Sequence, residues 1–253
     1  MSSLAIASGM FGCVLVSTLA AMLIARRLPE QHLSGESRDI VKLGLGVIGT
    51  LTALVLGLLV AATKGTYDAQ SGTIKELAAQ MAVIDRVLAR YGPEAGEARG
   101  RLRALAQAVL DQVWPNEPAT TIDFSGGPSK HAGEAFYDAV AALEPKTDSQ
   151  RLLKSRAQEM SVGMGQLRQR LVVNSERSIP APLLVVLGIW QAALFAGFGL
   201  LAPRNATTIA VLVVCMLSVS GALFLVLELD RPFEGTVRVS DTPLRSVMTH
   251  LGE

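Results

Sequence analysis

The stretch that decides the fold is residues 41–91, VKLGLGVIGTLTALVLGLLVAATKGTYDAQSGTIKELAAQMAVIDRVLARY. Between Lys42 and Lys64 it is apolar on every face, as a helix surrounded by hydrocarbon has to be. From Lys64 onward its character changes. Ile74, Leu77, Met81, Ile84, Leu88 and Tyr91 recur three and four residues apart, which lays them along one stripe of a helix. No proline interrupts the run. The pattern predicts a membrane-spanning helix over 41–63 that leaves the bilayer as an amphipathic stalk of about 40 Å, at about 1.5 Å per residue.

Three further segments have the length and apolarity of a span, which a hydrocarbon core of ~30 Å sets at about twenty residues. Residues 4–24 carry no charge and are followed by Arg26 and Arg27. The positive charges come after the apolar run instead of before it, so the segment reads as a retained span and not as a signal peptide. Residues 183–201 are apolar apart from Gln191, with Pro180 and Pro182 where a first helical turn tolerates them. Residues 206–227 are apolar and β-branched, and Pro203, Arg204 and Asn205 make the turn of a hairpin. The prediction is an all-α integral membrane protein with four transmembrane helices. The chain of 253 residues is 50% hydrophobic and its mean hydropathy is +0.38, values that fit a membrane protein with a substantial polar part.

That polar part lies between spans two and three. Residues 64–178 form a domain-sized helical insert, expected outside the membrane. Its stalk ends at Gly92 and Pro93; a second helix follows through Ala98, Leu102, Leu105, Val109 and Val113, closed by Trp114 and Pro115. A loop rich in Pro, Gly, Thr and Ser leads to a shorter helix carrying Phe136, Val140 and Leu143, stopped by Pro145. The last helix repeats the stalk's pattern in Leu153, Ala157, Met160, Met164, Leu167, Leu171 and Asn174. It is expected to pack antiparallel to the first stalk and to run directly into span three. Residues 228–253 read as a polar tail.

An even number of spans puts the N-terminus, the insert and the tail on one side of the membrane. Arg26, Arg27, Arg38 and Lys42 favour a cytoplasmic first loop, whereas Lys64, Lys75, Arg168, Arg170, Arg177, Arg231, Arg238 and Arg245 favour a cytoplasmic insert. The two sets pull in opposite directions.

Enzyme chemistry has no foothold in the sequence. His32, His131 and His250 stand isolated in polar contexts, and no HExxH, CxxC, GxSxG or phosphate-loop motif occurs. No catalytic, cofactor-binding or metal-binding residues are assigned. Cys13 and Cys215 lie in apolar segments and are expected to be buried small hydrophobes. A net charge of +1 and 5% aromatic residues argue against nucleic acid as a partner. No Asp, Glu, Lys, Arg or His lies in the middle of a span, which argues against a proton- or sodium-coupled carrier.

A passive pore needs no such charge. Gly44, Gly46, Gly49 and Gly57 in span two, and Gly188, Gly197 and Gly199 in span three, suit close helix packing in lipid. Alternatively, the glycines of span two keep a pore open. The candidate pore-lining residues are Thr50, Gly57 and Thr63, with Thr52 nearby; such hydroxyls also commonly bond to their own helix backbone. The candidate pore-mouth charges are Lys64, Asp68, Glu228 and Asp230, followed by Arg231 and Glu234. Their plainer role is interfacial anchoring and local ion pairing.

Three stretches carry a family resemblance: LVLGLLVAATKGTYDAQ (54–70), IDRVLARYGPEA (84–95) and LELDRPFEGTVRVSDTPL (227–244). Together they resemble the bacterial bestrophin-like membrane proteins, a family grouped as a domain of unknown function. Bestrophins are pentameric, mostly anion-selective channels with four membrane helices per subunit and a large cytosolic helical region. The resemblance therefore implies a homo-oligomer, a pentamer by analogy, in a bacterial inner membrane. It also implies small ions as the permeant species and the second span as pore lining. The chain departs from animal bestrophins in lacking a run of consecutive acids and any aromatic residue in span two before Tyr67, the residues that calcium gating and a phenylalanine-lined neck would need. The alternative reading is a non-conducting, membrane-anchored scaffold or sensor whose helical stalk binds a partner.

Overall fold

The computed structural model describes residues 3–27, 29, 35–115, 126–174, 179–203, 205–233 and 235–251. His32, Arg177, Arg204, Glu234 and the middle of the loop at 116–125 lie outside the described residues. Among the described residues the regular structure is helical throughout. In chain order the helices are α1 (Ser3–Ile24), α2 (Gly35–Tyr91), α3 (Gly96–Val113), α4 (Pro128–Ala141), α5 (Asp148–Asn174), α6 (Ala181–Leu201), α7 (Ala206–Leu229) and α8 (Thr242–Met248). Four of them, α1, α2, α6 and α7, are long and apolar enough to cross a membrane. The chain forms two compact units: Met1–Gly65 with Arg177–Asp230, and Thr66–Glu176 with Arg231–Glu253. Helix α2 contributes to both.

In the first unit α1 packs against α6 and α7. The approach is close because α6 offers glycine at the crossings. A Cβ at position 199 would stand 2.6 Å from the Thr18 carbonyl oxygen, and one at position 197 would collide with Leu45 of α2. Small residues at such points let backbones approach where lipid removes any hydrophobic drive to associate. The glycines of α2 differ. At Gly44, Gly46 and Gly57 a Cβ would meet nothing within 4 Å. Two apolar clusters fill the unit, one around Leu59, Leu187, Leu223 and Val226, the other around Val14, Phe195, Leu212 and Met216. Much of the remaining apolar surface points outward, including Leu4, Leu19, Leu54, Ile189 and Val214. Cys13 and Cys215 are exposed as well, contrary to their expected burial: on a helix surrounded by hydrocarbon a small apolar side chain is at home on the outer face.

The second unit has a continuous core. Ile74, Leu77, Met81, Ile84, Leu88 and Tyr91 of α2 are all buried, together with Leu102, Val109 and Val113 of α3, Phe136 and Val140 of α4, and Met164, Leu167 and Leu171 of α5. Gln150, near the start of α5, donates its side-chain N–H to the Tyr91 carbonyl at 3.1 Å, while a Cβ on Gly163 would approach Gln80. These two contacts make α5 run back along α2 in the opposite direction. Gly92, at φ 126°, turns the chain out of α2, a conformation open to glycine alone among common residues. Gln112 of α3 accepts from the Ser129 N–H at 3.1 Å and donates to the Gly126 carbonyl at 3.2 Å, which caps the start of α4. At the other end of α4, Lys154 donates to the Ala141 and Leu143 carbonyls, both at 2.7 Å, as a cation at a helix C-terminus should.

Two expectations need correcting. Helix α5 does not run into span three: Pro180 is extended (φ −65°, ψ 130°) and α6 starts afresh at Ala181, since Pro180 and Pro182 each lack the N–H that a helix interior requires. Nor is the segment after α7 merely a polar tail. Phe233, Val239, Leu244 and Leu251 are buried in the second unit's core. Trp114 Nε1 donates to the Val239 carbonyl at 2.8 Å and Tyr67 Oη to the Arg238 carbonyl at 3.2 Å. The Trp114 ring meets Phe233 edge to face at 6.2 Å, a favoured aromatic geometry.

The Asp85–Arg99 ion pair is sheltered. Arg99 Nε and Nη2 reach the two Asp85 carboxylate oxygens at 2.8 and 2.9 Å, a bidentate fork tying α3 to α2. Hydrogen bonding to Asp85 raises the Arg99 pKa further above its ordinary value, against the opposing effect of burial. Burial pushes the Tyr91 phenol above its ordinary value, and the Glu94 and Glu144 carboxylates push the same way. A phenol so placed costs stability as pH rises past about 10, where the unfolded chain ionises first.

Replacing Asp85 by Ala leaves Arg99 partly buried without its carboxylate, at an expected cost of about 3 kcal/mol; the Asp85→Leu, Arg99→Met pair should lose far less, read by chemical unfolding. Gly199→Val should destabilise by about 1–3 kcal/mol by overpacking α1 against α6, whereas Gly57→Ala, with open space around it, should leave the unfolding midpoint nearly unchanged.

Candidate functional site

Along its apolar half α2 has two unlike faces. One is packed: Leu45, Thr52, Leu59 and Thr63 are buried. The other is open: Leu43, Val47, Thr50, Leu54, Gly57, Ala61 and Lys64 are all exposed. Those open positions alternate four and three apart, which places them on one side of the helix. Thr50, Gly57 and Lys64 are seven apart, and each step of seven drifts only ~20° around the axis. A polar-to-small-to-cationic line therefore runs along an otherwise apolar surface that is exposed among the described residues.

The candidate residues divide between these faces. Thr50 lies on the open face and donates its hydroxyl to the Gly46 carbonyl at 2.9 Å. Gly57 lies beside it on the open face. Thr63 is fully buried on the packed face and donates to the Leu59 carbonyl at 2.9 Å. Its hydroxyl is thus turned away from the surface that carries Thr50 and Gly57. Lys64 is exposed, and so is Asp68, four residues further along the same helix. Glu228, at the end of α7, is only 4% exposed, and Asp230 is half-buried. The four charges are accordingly not one exposed set.

The second unit contains a cavity of about 710 Å³ lined by Leu77, Met81, Val109, Phe136 and Met164, with Lys130 and Glu134 at its rim. Its walls are mostly apolar, with Ser129, Asp138 and Arg168 among the polar side chains that line it. Among the described residues no group of three or more His, Cys, Asp or Glu is arranged to hold a metal ion. His131 sits at the start of α4, exposed, with Nδ1 3.1 Å from the Gly127 carbonyl.

Two features escaped the sequence reading. The clamp on residues 231–251 is half announced: Leu244, Val247, Met248 and Leu251 recur at helical spacing, whereas Phe233 and Val239 follow no local period. The pairing of Thr52 with the packed face, away from Thr50 two residues earlier, follows from the 100° turn per residue, but only neighbours decide which face is packed.

Four helices apolar enough to span a membrane, an all-helical second unit and an open helical face define a multi-span helical membrane protein. A family model described as the Bestrophin-like domain matches residues 12–244, and the chain belongs to that family. No curated protein matches it. Among solved structures, two single-substitution variants of a bacterial Bestrophin homolog from Klebsiella pneumoniae align well. One has a TM-score of 0.69 at 16% identity, covering 99% of this chain and 96% of that one. The other has a TM-score of 0.68 at 16% identity, covering 96% and 97%. A further crystal structure of the Klebsiella pneumoniae homolog aligns with a TM-score of 0.66 at 13% identity, covering 94% and 96%. At these identities the likeness is one of fold.

The two faces of α2 should respond differently to substitution. Thr50→Val should shift stability by no more than about 0.5 kcal/mol, while Thr63→Leu should cost about 1–3 kcal/mol by overfilling the packed side, both measured by thermal unfolding in detergent.

Proposed function

We propose that the chain is one subunit of an oligomeric, passive channel for small ions in a bacterial inner membrane, with the open face of α2 lining the pathway. The observation that carries this reading is that face itself. It is continuous over several turns, mostly apolar with Thr50 and Gly57 set into it, and exposed among the described residues. Four helices of which only two form a hairpin do not enclose an aqueous path. Several copies, each turning the same face to a shared axis, do so by closed symmetry. Family membership and the resemblance to pentameric bestrophins support five copies, and with five copies Lys64 and Asp68 become rings beyond the apolar stretch. The second unit is then the extramembrane domain inserted between spans two and three. The absence of ionisable side chains in the middle of the spans favours passive flow over coupled transport.

The test begins with native mass in nanodiscs, followed by ion flux from proteoliposomes. A pentamer is expected. Gly57→Leu, which has room in the isolated chain, should lower flux at least tenfold with the native mass unchanged. A monomer would sink the channel reading and favour a membrane-anchored scaffold. A pentamer whose flux ignores both Gly57→Leu and Thr50→Leu would remove α2 from the pathway.

A further inference from the structure

Within the first unit Met10 of α1 packs against both apolar clusters, while on α2, α6 and α7 a polar level lies between them. On α6, Gln191 lies four residues after Leu187, which belongs to one cluster, and four before Phe195, which belongs to the other. On α7, Ser220 lies three residues before Leu223 of the first cluster and four after Met216 of the second. On α2, Thr52 follows Gly49, where a Cβ would touch Leu194 of α6 at 3.6 Å, and precedes Leu59 of the first cluster by two turns. One register thus brings Thr52, Gln191 and Ser220 to the same depth, near the middle of three spans. All three are buried, at 4%, 2% and 8% exposure.

Hydroxyls elsewhere in the spans return to their own helices, as Ser17, Thr18, Thr63 and Ser218 do. Thr52 and Gln191 differ: Thr52 Oγ1 and Gln191 Oε1 are buried without a protein hydrogen-bond partner among the described residues. Hydrocarbon offers no substitute for such a partner, and an unmet polar atom there is expensive. Leucine or valine would have packed these positions at no such cost. The two unmet atoms belong to neutral side chains, an amide and a hydroxyl, with the Ser220 hydroxyl at the same level and no carboxylate among them. Such a set suits a ligand that both donates and accepts, and gives too few oxygens for a hard cation, which takes six or more.

We propose that this level holds a resident water molecule bridging Gln191 Oε1 and Thr52 Oγ1, with Ser220 as its third wall, and that the bridge clasps α2 to α6 in mid-membrane. Buried waters of this kind typically make about three hydrogen bonds to groups that are otherwise unmet. The clasp stands whether or not the protein conducts, since it lies on the packed side of α2, opposite Thr50 and Gly57.

The test is a double-mutant cycle on the full-length protein in nanodiscs, using Thr52→Val, Gln191→Leu and the pair, with Thr52→Ser as the conservative control. Each single substitution takes one partner from the water and strands the other, so each should lower the unfolding midpoint by about 2–4 °C. The pair should recover most of that loss, and Thr52→Ser should match the wild type. Additive effects, or a rise in midpoint from each single substitution alone, would mean two unconnected polar groups and overturn the bridge. The wild-type midpoint should be equal in sodium, potassium and N-methylglucamine chloride at one ionic strength; stabilisation by one cation alone would replace the water with an ion site. If the single variants do not reach the membrane, radiolytic labelling of the wild type in isotopically enriched water decides the matter. Label at Leu187 or Phe195 supports a resident water, and none at either overturns it.

Discussion

Inside a bilayer no water completes a backbone hydrogen bond, and that constraint shapes this molecule from α1 to α7. Each N–H and C=O in the spans must be met within its own helix. Glycine, which keeps its N–H, is admitted along the spans and serves close packing at Gly197 and Gly199, whereas proline within a span stands at a helix start, as at Pro182. Helix α2 meets two regimes along its 57 residues. Up to Lys64 its surroundings tolerate apolar side chains on every side. Beyond it, only one stripe is hydrophobic and that stripe is fully buried. The transition needs no break in the helix, because the backbone is satisfied identically in both regimes and only the side chains register the change.

The two units are held together internally by different means. The second unit resembles a soluble domain: a connected apolar core, capped helix ends and a sheltered ion pair between α2 and α3. The first has small clusters, close backbone crossings at glycine and a large outward apolar surface. In water that surface would drive collapse or aggregation. In lipid it costs nothing, so burial ceases to indicate which residues matter for folding. What distinguishes positions there is polarity out of place, and this is why a single glutamine and a threonine carry more information than the leucines around them.

The fold was largely legible in the sequence for the same reason. The four spans follow from length and apolarity, and the seam from Ile74 to Tyr91 follows from its three-four alternation; the helices α1, α6 and α7 begin and end within about two residues of the segments read from sequence. The family was legible in three motifs. Reading failed where the governing contact was distant. Pro180 marks the opening of a span in the sequence, but its ending of continuity with α5 shows only in its extended backbone. The Trp114 clamp joins residues more than a hundred positions apart in the chain, and no local period announces it. The candidate site was half legible: spacing groups Thr50, Gly57 and Lys64 on one side of α2 and sets Thr63 on the other, but which side is packed depends on α6 and α7.

The clamp also bears on the order in which the protein is made. The second unit takes most of its core from residues 66–176, yet it is closed by Phe233, Val239, Leu244 and Leu251, which a ribosome reaches only after α6 and α7. At a synthesis rate of about 5–20 residues per second, the intervening stretch from 176 to 231 imposes a wait of roughly 3–11 s. During that interval Trp114 and Tyr67 face neither Val239 nor Arg238, and the domain's apolar interior is open on that flank. Completion of the domain is thus tied to synthesis of the last membrane helix, so a chain truncated before α7 ends carries its own defect in a region far from the cut.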